Sequence, residues 1–219
     1  MNPSSKVQIG EKLFALCLLA SEDQVSSKSF INGETLGNSA RHYDSNCVGS
    51  DSFSPSDLGD LPLCCLDSIA SSLSESYDQC CSPHQLLCNL QGCLGKLNGH
   101  RTITKSPTLY RVTCRIPHLK DEVRTWETTI SNTNDSAKKG SSAKRAAFLR
   151  NMQAEVATRN GFHAAANLFD FDKFFDTIDL PLLVDKLNTL QYPLRPLCMA
   201  LQQHCAPRRI QVKNITSNS

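Results

Sequence analysis

Residues 170–179 read DFDKFFDTID, and this stretch decides how the rest of the chain is interpreted. Four aspartates, Asp170, Asp172, Asp176 and Asp179, interleave there with Phe171, Phe174, Phe175 and Ile178, directly after the apolar run AAANLF. The pattern predicts a buried strand that delivers acids to its end. A strand apolar on both faces can finish in a carboxylate only where water, a cation or a partner compensates the charge, because burying it unpaired costs several kcal/mol or more. Asp170 is therefore the candidate metal ligand. Asp176 lies past the strand as a turn or salt-bridge residue, Asp172 faces solvent, and Asp179 has the position of a helix cap before LPLLVDKLNTL, with Pro181 in the first turn.

Working outward, 143–160 is the clearest helix, with Ser141 or Ser142 as N-cap and Gly161 as its stop. Phe148, Met152 and Val156 recur along it at i, i+4 and i+8, which predicts a core-facing stripe. Downstream, a helix over 196–204 leads into the strand-like RRIQVK. Upstream, 85–104 reads QLLCNLQGCLGKLNGHRTIT, two strand-like runs around Asn98-Gly99, the strongest short hairpin signal. Lys96 and Arg101 are basic residues near its turn. In TLYRVTCRIPHLKDEVRTWE, Leu109, Tyr110, Val112, Val123 and Trp126 are expected to pack. Residues 131–142 form a polar connector. A helix is expected from Leu63 through Leu66, Ile69, Ala70 and Leu73, with Pro62 at its start and Pro83 beyond its end. Residues 21–60 are rich in Ser, Asn, Gly and Asp, and are expected to be loop-rich or disordered.

These residues together resemble reverse transcriptases of the non-LTR retrotransposon and group II intron type. The resemblance rests on an aspartate followed five residues later by an aromatic and then a second aspartate, here Asp170, Phe175 and Asp176. It extends to the hairpin with Lys96, Gly99, Arg101 and Ile103, and covers roughly residues 61–215. It implies an α+β fold: a partial fingers and palm, mostly helical, with a β-hairpin and an incomplete palm sheet that has an exposed edge. Residues 61–130 would be fingers-like, 143–219 the start of a palm-like region, and 1–60 would stand outside the resemblance.

The chemistry implied is RNA-directed DNA polymerisation, a two-metal nucleotidyl transfer on an RNA template and DNA primer using deoxynucleotide triphosphates. Mg²⁺ takes hard oxygen ligands, for which Asp170 and the backbone carbonyl of Phe171 are suited. Lys96 and Arg101 would approach the triphosphate of the incoming nucleotide, where a cationic hairpin can neutralise a polyphosphate, and Arg111 and Arg115 would face nucleic acid. Phe175 would lie beneath its sugar and exclude a ribose 2′-hydroxyl; from the residues alone, a core phenylalanine is the alternative. No two aspartates are adjacent anywhere in the 219 residues, and the family's Gln-Gly element after the strand is missing. One carboxylate cannot hold two metals, so a fragment unable to polymerise by itself is expected. The alternatives are a non-catalytic nucleic-acid-binding remnant using Lys96, Arg101, Arg208 and Arg209, and an unrelated α/β domain whose acids bind a divalent ion or nothing.

Bulk properties set the bounds. The net charge of +2 conceals an asymmetry: residues 1–79 hold 4 Lys and Arg against 11 Asp and Glu, and residues 137–219 hold 12 against 6. The later part can attract phosphate. Eleven cysteines, an odd number without paired CxxC units, read as reduced intracellular thiols. The group Cys80, Cys81, His84, Cys88 and Cys93 matches no standard zinc spacing and reads as packed free thiols. The longest early apolar run, LFALCLLA at 13–20, has eight residues where a bilayer span needs about 20, so no membrane partner is expected.

Overall fold

Gly33, Leu36, Gly37 and Ala40 recur on one face of a nine-residue helix, and that face is buried. The computed structural model describes residues 3–22, 31–44, 46–96, 99–130, 140–167, 178–212 and 215–216. Its helices are α1 (Pro3–Glu22), α2 (Gly33–Arg41), α3 (Pro55–Gly59), α4 (Leu63–Asp78), α5 (Thr108–Thr113), α6 (Pro117–Ile130), α7 (Ala143–Arg159), α8 (Leu180–Thr189) and α9 (Leu194–Cys205). The strands are β1 (Asn89–Lys96), β2 (Gly99–Lys105), β3 (Arg208–Val212) and β4 (Ile215–Thr216). The fold is mixed α+β and mostly helical, as expected. Two compact units divide the chain: Met1–Val123 with Tyr192–Ser219, and Arg124–Gln191, the boundary falling within α6.

The first unit is organised around α4, where Leu66, Ala70, Leu73 and Tyr77 form a stripe at i, i+4, i+7 and i+11. Around it gather Ile31, Leu36 and Ala40 from the α2 region, Leu58 of α3, Val112 of α5, and Ile116 and Leu119 at α6. The approach of α2 to α4 is close enough to need glycine. A Cβ on Gly33 would stand 2.7 Å from the backbone nitrogen of Asp67, and one on Gly37 would stand 2.8 Å from Leu66 Cδ1. The Gly33 N–H donates to Asp67 Oδ1 at 3.0 Å, which ties the start of α2 to α4.

Residues 31–60 therefore depart from the loop-rich expectation. The signal was present as two capping boxes. Asn32 Oδ1 accepts from Thr35 N at 2.8 Å while Thr35 Oγ1 accepts from Asn32 N at 3.1 Å, and Ser54 and Asp57 repeat the arrangement. A Ser- and Asn-rich composition masked them. In α1, Ile9, Leu16 and Ala20 are buried, and this helix packs on α9.

The second unit contains α7 and α8. Ser142 caps α7 by accepting from Arg145 N at 3.2 Å, and Asp179 caps α8 by accepting from Leu182 N at 3.0 Å, both as expected. Trp126 donates from Nε1 to the carbonyl of Leu190 at 2.7 Å, so its ring is held at the end of α8. The expected core stripe on α7 is corrected: Phe148 is 63% exposed, Met152 44% and Val156 53%. Periodicity defines an apolar face, but burial needs a partner, and among the described residues none covers this one.

Candidate nucleic-acid interface

The hairpin forms in the stretch that the Asn-Gly signal marked, with Gly99 as the first residue of β2. β1 and β2 pair antiparallel from Leu90↔Lys105 to Lys96↔Gly99, with Arg101 opposite Leu94. β1 contributes eight residues and β2 seven, and the β-branched Thr and Ile along β2 suit a pleated ladder. The strand beginning at Arg208 then joins the same sheet in an unexpected way. β3 lies parallel to β1, with Asn89↔Arg208, Leu90↔Arg209 and Gln91↔Ile210, and the order across the sheet is β2-β1-β3-β4.

This pairing brings basic positions from both ends of the sequence onto one sheet. Opposite residues in a ladder share a face, so Lys105, Leu90 and Arg209 form one row across three strands. Lys105 and Arg209 are exposed. The same face carries Leu94 and Ile103, both large, apolar and exposed. By register, Lys96 and Arg101 take positions on it too, although their side chains lie outside the described atoms. Six residues separate Leu90 from Lys96, so the cationic positions are spread over about 20 Å along β1. Arg208 falls on the opposite face with Asn89 and is also exposed.

The base of this sheet is anchored from α9. Asn89 is buried, and its side chain exchanges hydrogen bonds with Gln203; its backbone N–H donates to Pro207 O at 3.0 Å. Arg208 donates to the carbonyl of His204 at 3.4 Å. Burial, and then the charge of Arg208, hold the His204 imidazole below its ordinary value. His204 is accordingly neutral near pH 7, and Arg208 and Arg209 provide the positive charge there.

The other predicted residues fall differently. Asp170, Phe171, Phe175 and Asp176 lie outside the described residues. Arg111 and Arg115, expected to face nucleic acid, are engaged within the chain. Arg111 donates to Cys47 O at 2.6 Å and to Thr108 Oγ1 at 2.8 Å, whereas Arg115 pairs with Asp44 Oδ2 at 2.9 Å. Both guanidinium groups sit over the Tyr43 ring, at 5.7 and 5.0 Å from its centroid. Thr108 apart, their partners Tyr43, Asp44 and Cys47 come from a segment that reads as linker, so nothing local announced them.

Among the described residues, no group of three or more His, Cys, Asp or Glu could hold a metal ion. The cysteines form no disulfide, and Cys81, Cys88 and Cys93 are not buried with Cys80. A small pocket beside α2 and α3 is lined by apolar and polar groups alike, among them Ala40, Pro55, Arg41, Asn46 and Asp60. Arg41 donates there to Gly59 O at 3.1 Å, and Asn46 Oδ1 accepts from Ser56 Oγ at 2.8 Å. No helix among the described residues is long and apolar enough to cross a membrane. Comparison with family models, with curated proteins and with solved structures returns no match.

Proposed function

We propose that this chain is a fingers and early-palm piece of a reverse-transcriptase-like domain, which binds nucleic acid and does not polymerise by itself. The observation that carries the reading is the hairpin register: an antiparallel pair whose turn is flanked by Lys96 and Arg101, upstream of the DFDKFFDTID stretch. A basic hairpin together with an acid-rich stretch is the combination that phosphoryl transfer from a polyphosphate needs, with cations for the phosphates and carboxylates for Mg²⁺.

In this reading Lys96 and Arg101 meet the phosphates of the nucleotide, and the Phe175 ring restricts the space at its sugar. Asp170 and the carbonyl of Phe171 are hard oxygen donors and fit one Mg²⁺, which when bound would stabilise developing charge on the reacting oxygens. They do not fit two, because the further carboxylates are not adjacent to one another in this sequence. Catalytic incompleteness follows from that donor set.

A second reading, a non-catalytic nucleic-acid-binding remnant, is favoured by the exposed Arg208 and Arg209 at the head of β3 and by Lys105, which shares a face of the sheet with Arg209. Backbone phosphates would bind this sheet through counterion release, with the exposed Leu94 and Ile103 offering apolar contact to unstacked bases.

Purified chain incubated with an RNA template, DNA primer, deoxynucleotide triphosphates and Mg²⁺ is expected to bind the primer-template and leave the primer unextended. Extension that disappears in Asp170→Ala would overturn the incompleteness. Absence of salt-sensitive binding to any RNA or DNA would overturn both readings.

A further inference from the structure

Three cysteines distant in sequence meet inside the first unit. Cys17 comes from α1, Cys80 from just beyond α4, and Cys198 from α9. Cys80 and Cys198 are buried and Cys17 is half-buried, so it alone of the three offers a route from solvent. The Cys198 thiol is within hydrogen-bonding reach of both of the others. Gln202, one turn along α9 from Cys198, completes the arrangement. Its Nε2 donates to the carbonyl of Cys80 at 2.7 Å and to Cys17 Sγ at 3.7 Å, and its Oε1 accepts from Ser82 N at 2.8 Å.

Cys80 is pinned by its own backbone. It adopts φ +50° directly after α4, and its Sγ reaches the carbonyl of Tyr77 at 3.7 Å. The nucleic-acid reading uses none of these groups. Electrostatically the thiols are not equivalent. The hydrogen bond from Cys198 draws Cys17 down to about 7, burial opposes this, and Gln202 adds to it. Cys198, whose proton is shared toward two neighbouring sulfurs, is pushed up. A half-exposed thiol that ionises near neutral pH beside a second thiol is the arrangement that reacts with peroxides and then closes a disulfide.

We propose that Cys17 and Cys198 form a hydroperoxide-responsive modification site, in which oxidation of Cys17 is resolved by Cys198 into a disulfide that ties α1 to α9. In the first step the Cys17 thiolate attacks one peroxide oxygen. The S–O bond forms, the O–O bond breaks, Cys17 becomes a sulfenic acid, and the leaving group, hydroxide from hydrogen peroxide or alkoxide from an organic hydroperoxide, takes up a proton as water or alcohol. In the second step the Cys198 sulfur attacks the Cys17 sulfur. The S–S bond forms, the S–O bond breaks, and the departing hydroxide leaves as water with the Cys198 thiol proton. Two thiols lose two electrons in all, and one hydroperoxide is reduced to water and the corresponding alcohol, or to two waters when it is hydrogen peroxide.

The test is to treat the full chain at neutral pH with one equivalent of hydrogen peroxide, block remaining thiols with iodoacetamide, and map linkages by non-reducing peptide mass spectrometry. The expected result is a Cys17–Cys198 linked peptide in at least tenfold excess over any other cysteine pair, reversed by dithiothreitol. Cys198→Ser is expected to leave Cys17 as a sulfenic acid that dimedone captures, and Cys17→Ser to remove the linkage without new ones. Because Cys198 is buried, the serine variant is accompanied by a variant-free measurement. In the unmodified chain, the pH dependence of iodoacetamide labelling at Cys17 should have its midpoint near 7. Oxidation falling first on the exposed Cys64 or Cys65, linkage of Cys17 to Cys80 in place of Cys198, or a Cys17 that labels no faster than those exposed thiols would each overturn the proposal.

Discussion

Asn89 and Gln203 bind each other twice inside the first unit: Gln203 Nε2 donates to Asn89 Oδ1 at 2.6 Å, and Asn89 Nδ2 donates to the Gln203 carbonyl at 2.9 Å. Both residues are buried, at 3% and 6% exposure, so these bonds are formed away from water and join the first residue of β1 to α9. Asn89→Ala leaves a buried carbonyl and a buried amide without their partners. The expected loss is about 1–3 kcal/mol, read as a lower urea midpoint with unchanged slope. Asn89→Asp is expected to be worse than Asn89→Ala, because it buries a charge and removes a donor.

Leu36 tests whether the early residues belong to the core. It is fully buried against α4, and Leu36→Ala is expected to cost about 2–5 kcal/mol. Leu63→Ala, at an exposed position on α4, serves as the comparison and should change stability by no more than about 0.5 kcal/mol. Equal effects from the two variants would show that α2 does not pack as described.

Asp179 gives the helix α8 its first hydrogen bond beyond the backbone. Asp179→Ala is expected to cost the second unit about 1 kcal/mol, and Asp179→Asn much less, because an amide oxygen still accepts from Leu182 N. Thermal unfolding followed by circular dichroism distinguishes the two.

Asp57 gives a pH dependence of definite sign. The hydroxyl of Ser54, and then its backbone N–H, hold the Asp57 carboxyl below its ordinary value of 3.8. The unfolded chain thus takes up this proton more readily, so the contribution of the cap is complete above pH 3.8 and is lost as pH falls through the native value. Carboxyl NMR titration should show Asp57 ionising below pH 3.8, and Ser54→Ala should return it upward.

Binding to single-stranded RNA separates the exposed arginines from the engaged ones. Each phosphate contact contributes about 0.7 to the salt slope on a single strand, so Arg208→Ala with Arg209→Ala is expected to reduce it by about 1.4. Arg111→Ala and Arg115→Ala should leave the slope unchanged and instead lower stability, since both side chains hold the Tyr43 segment. The reverse result would place the interface on α5.

Much of the local structure was legible because its causes lie within a few residues. Asp179 before Leu-Pro and Ser142 before an alanine-rich run each determine a hydrogen bond inside one short window, and Asn98-Gly99 marked where the chain reverses between β1 and β2. The capping boxes at Asn32 and Ser54 were equally local, but a polar composition was weighed above them. Asp170, the residue on which the functional expectation turns, is not among those whose geometry the structure describes.

What the sequence determined by itself, then, was where helices and the hairpin begin and end, and which of their faces are apolar. Only the tertiary structure decided the partners. It set β3 parallel on β1 so that Arg209 and Lys105 flank Leu90, placed Arg111 and Arg115 on Tyr43, gathered Cys17, Cys80 and Cys198, and left the α7 stripe exposed. The reason is physical: a cap or turn is satisfied by neighbours in the chain, whereas an apolar face or an arginine can be satisfied by many distant groups. Which one it meets depends on the packing of the whole unit.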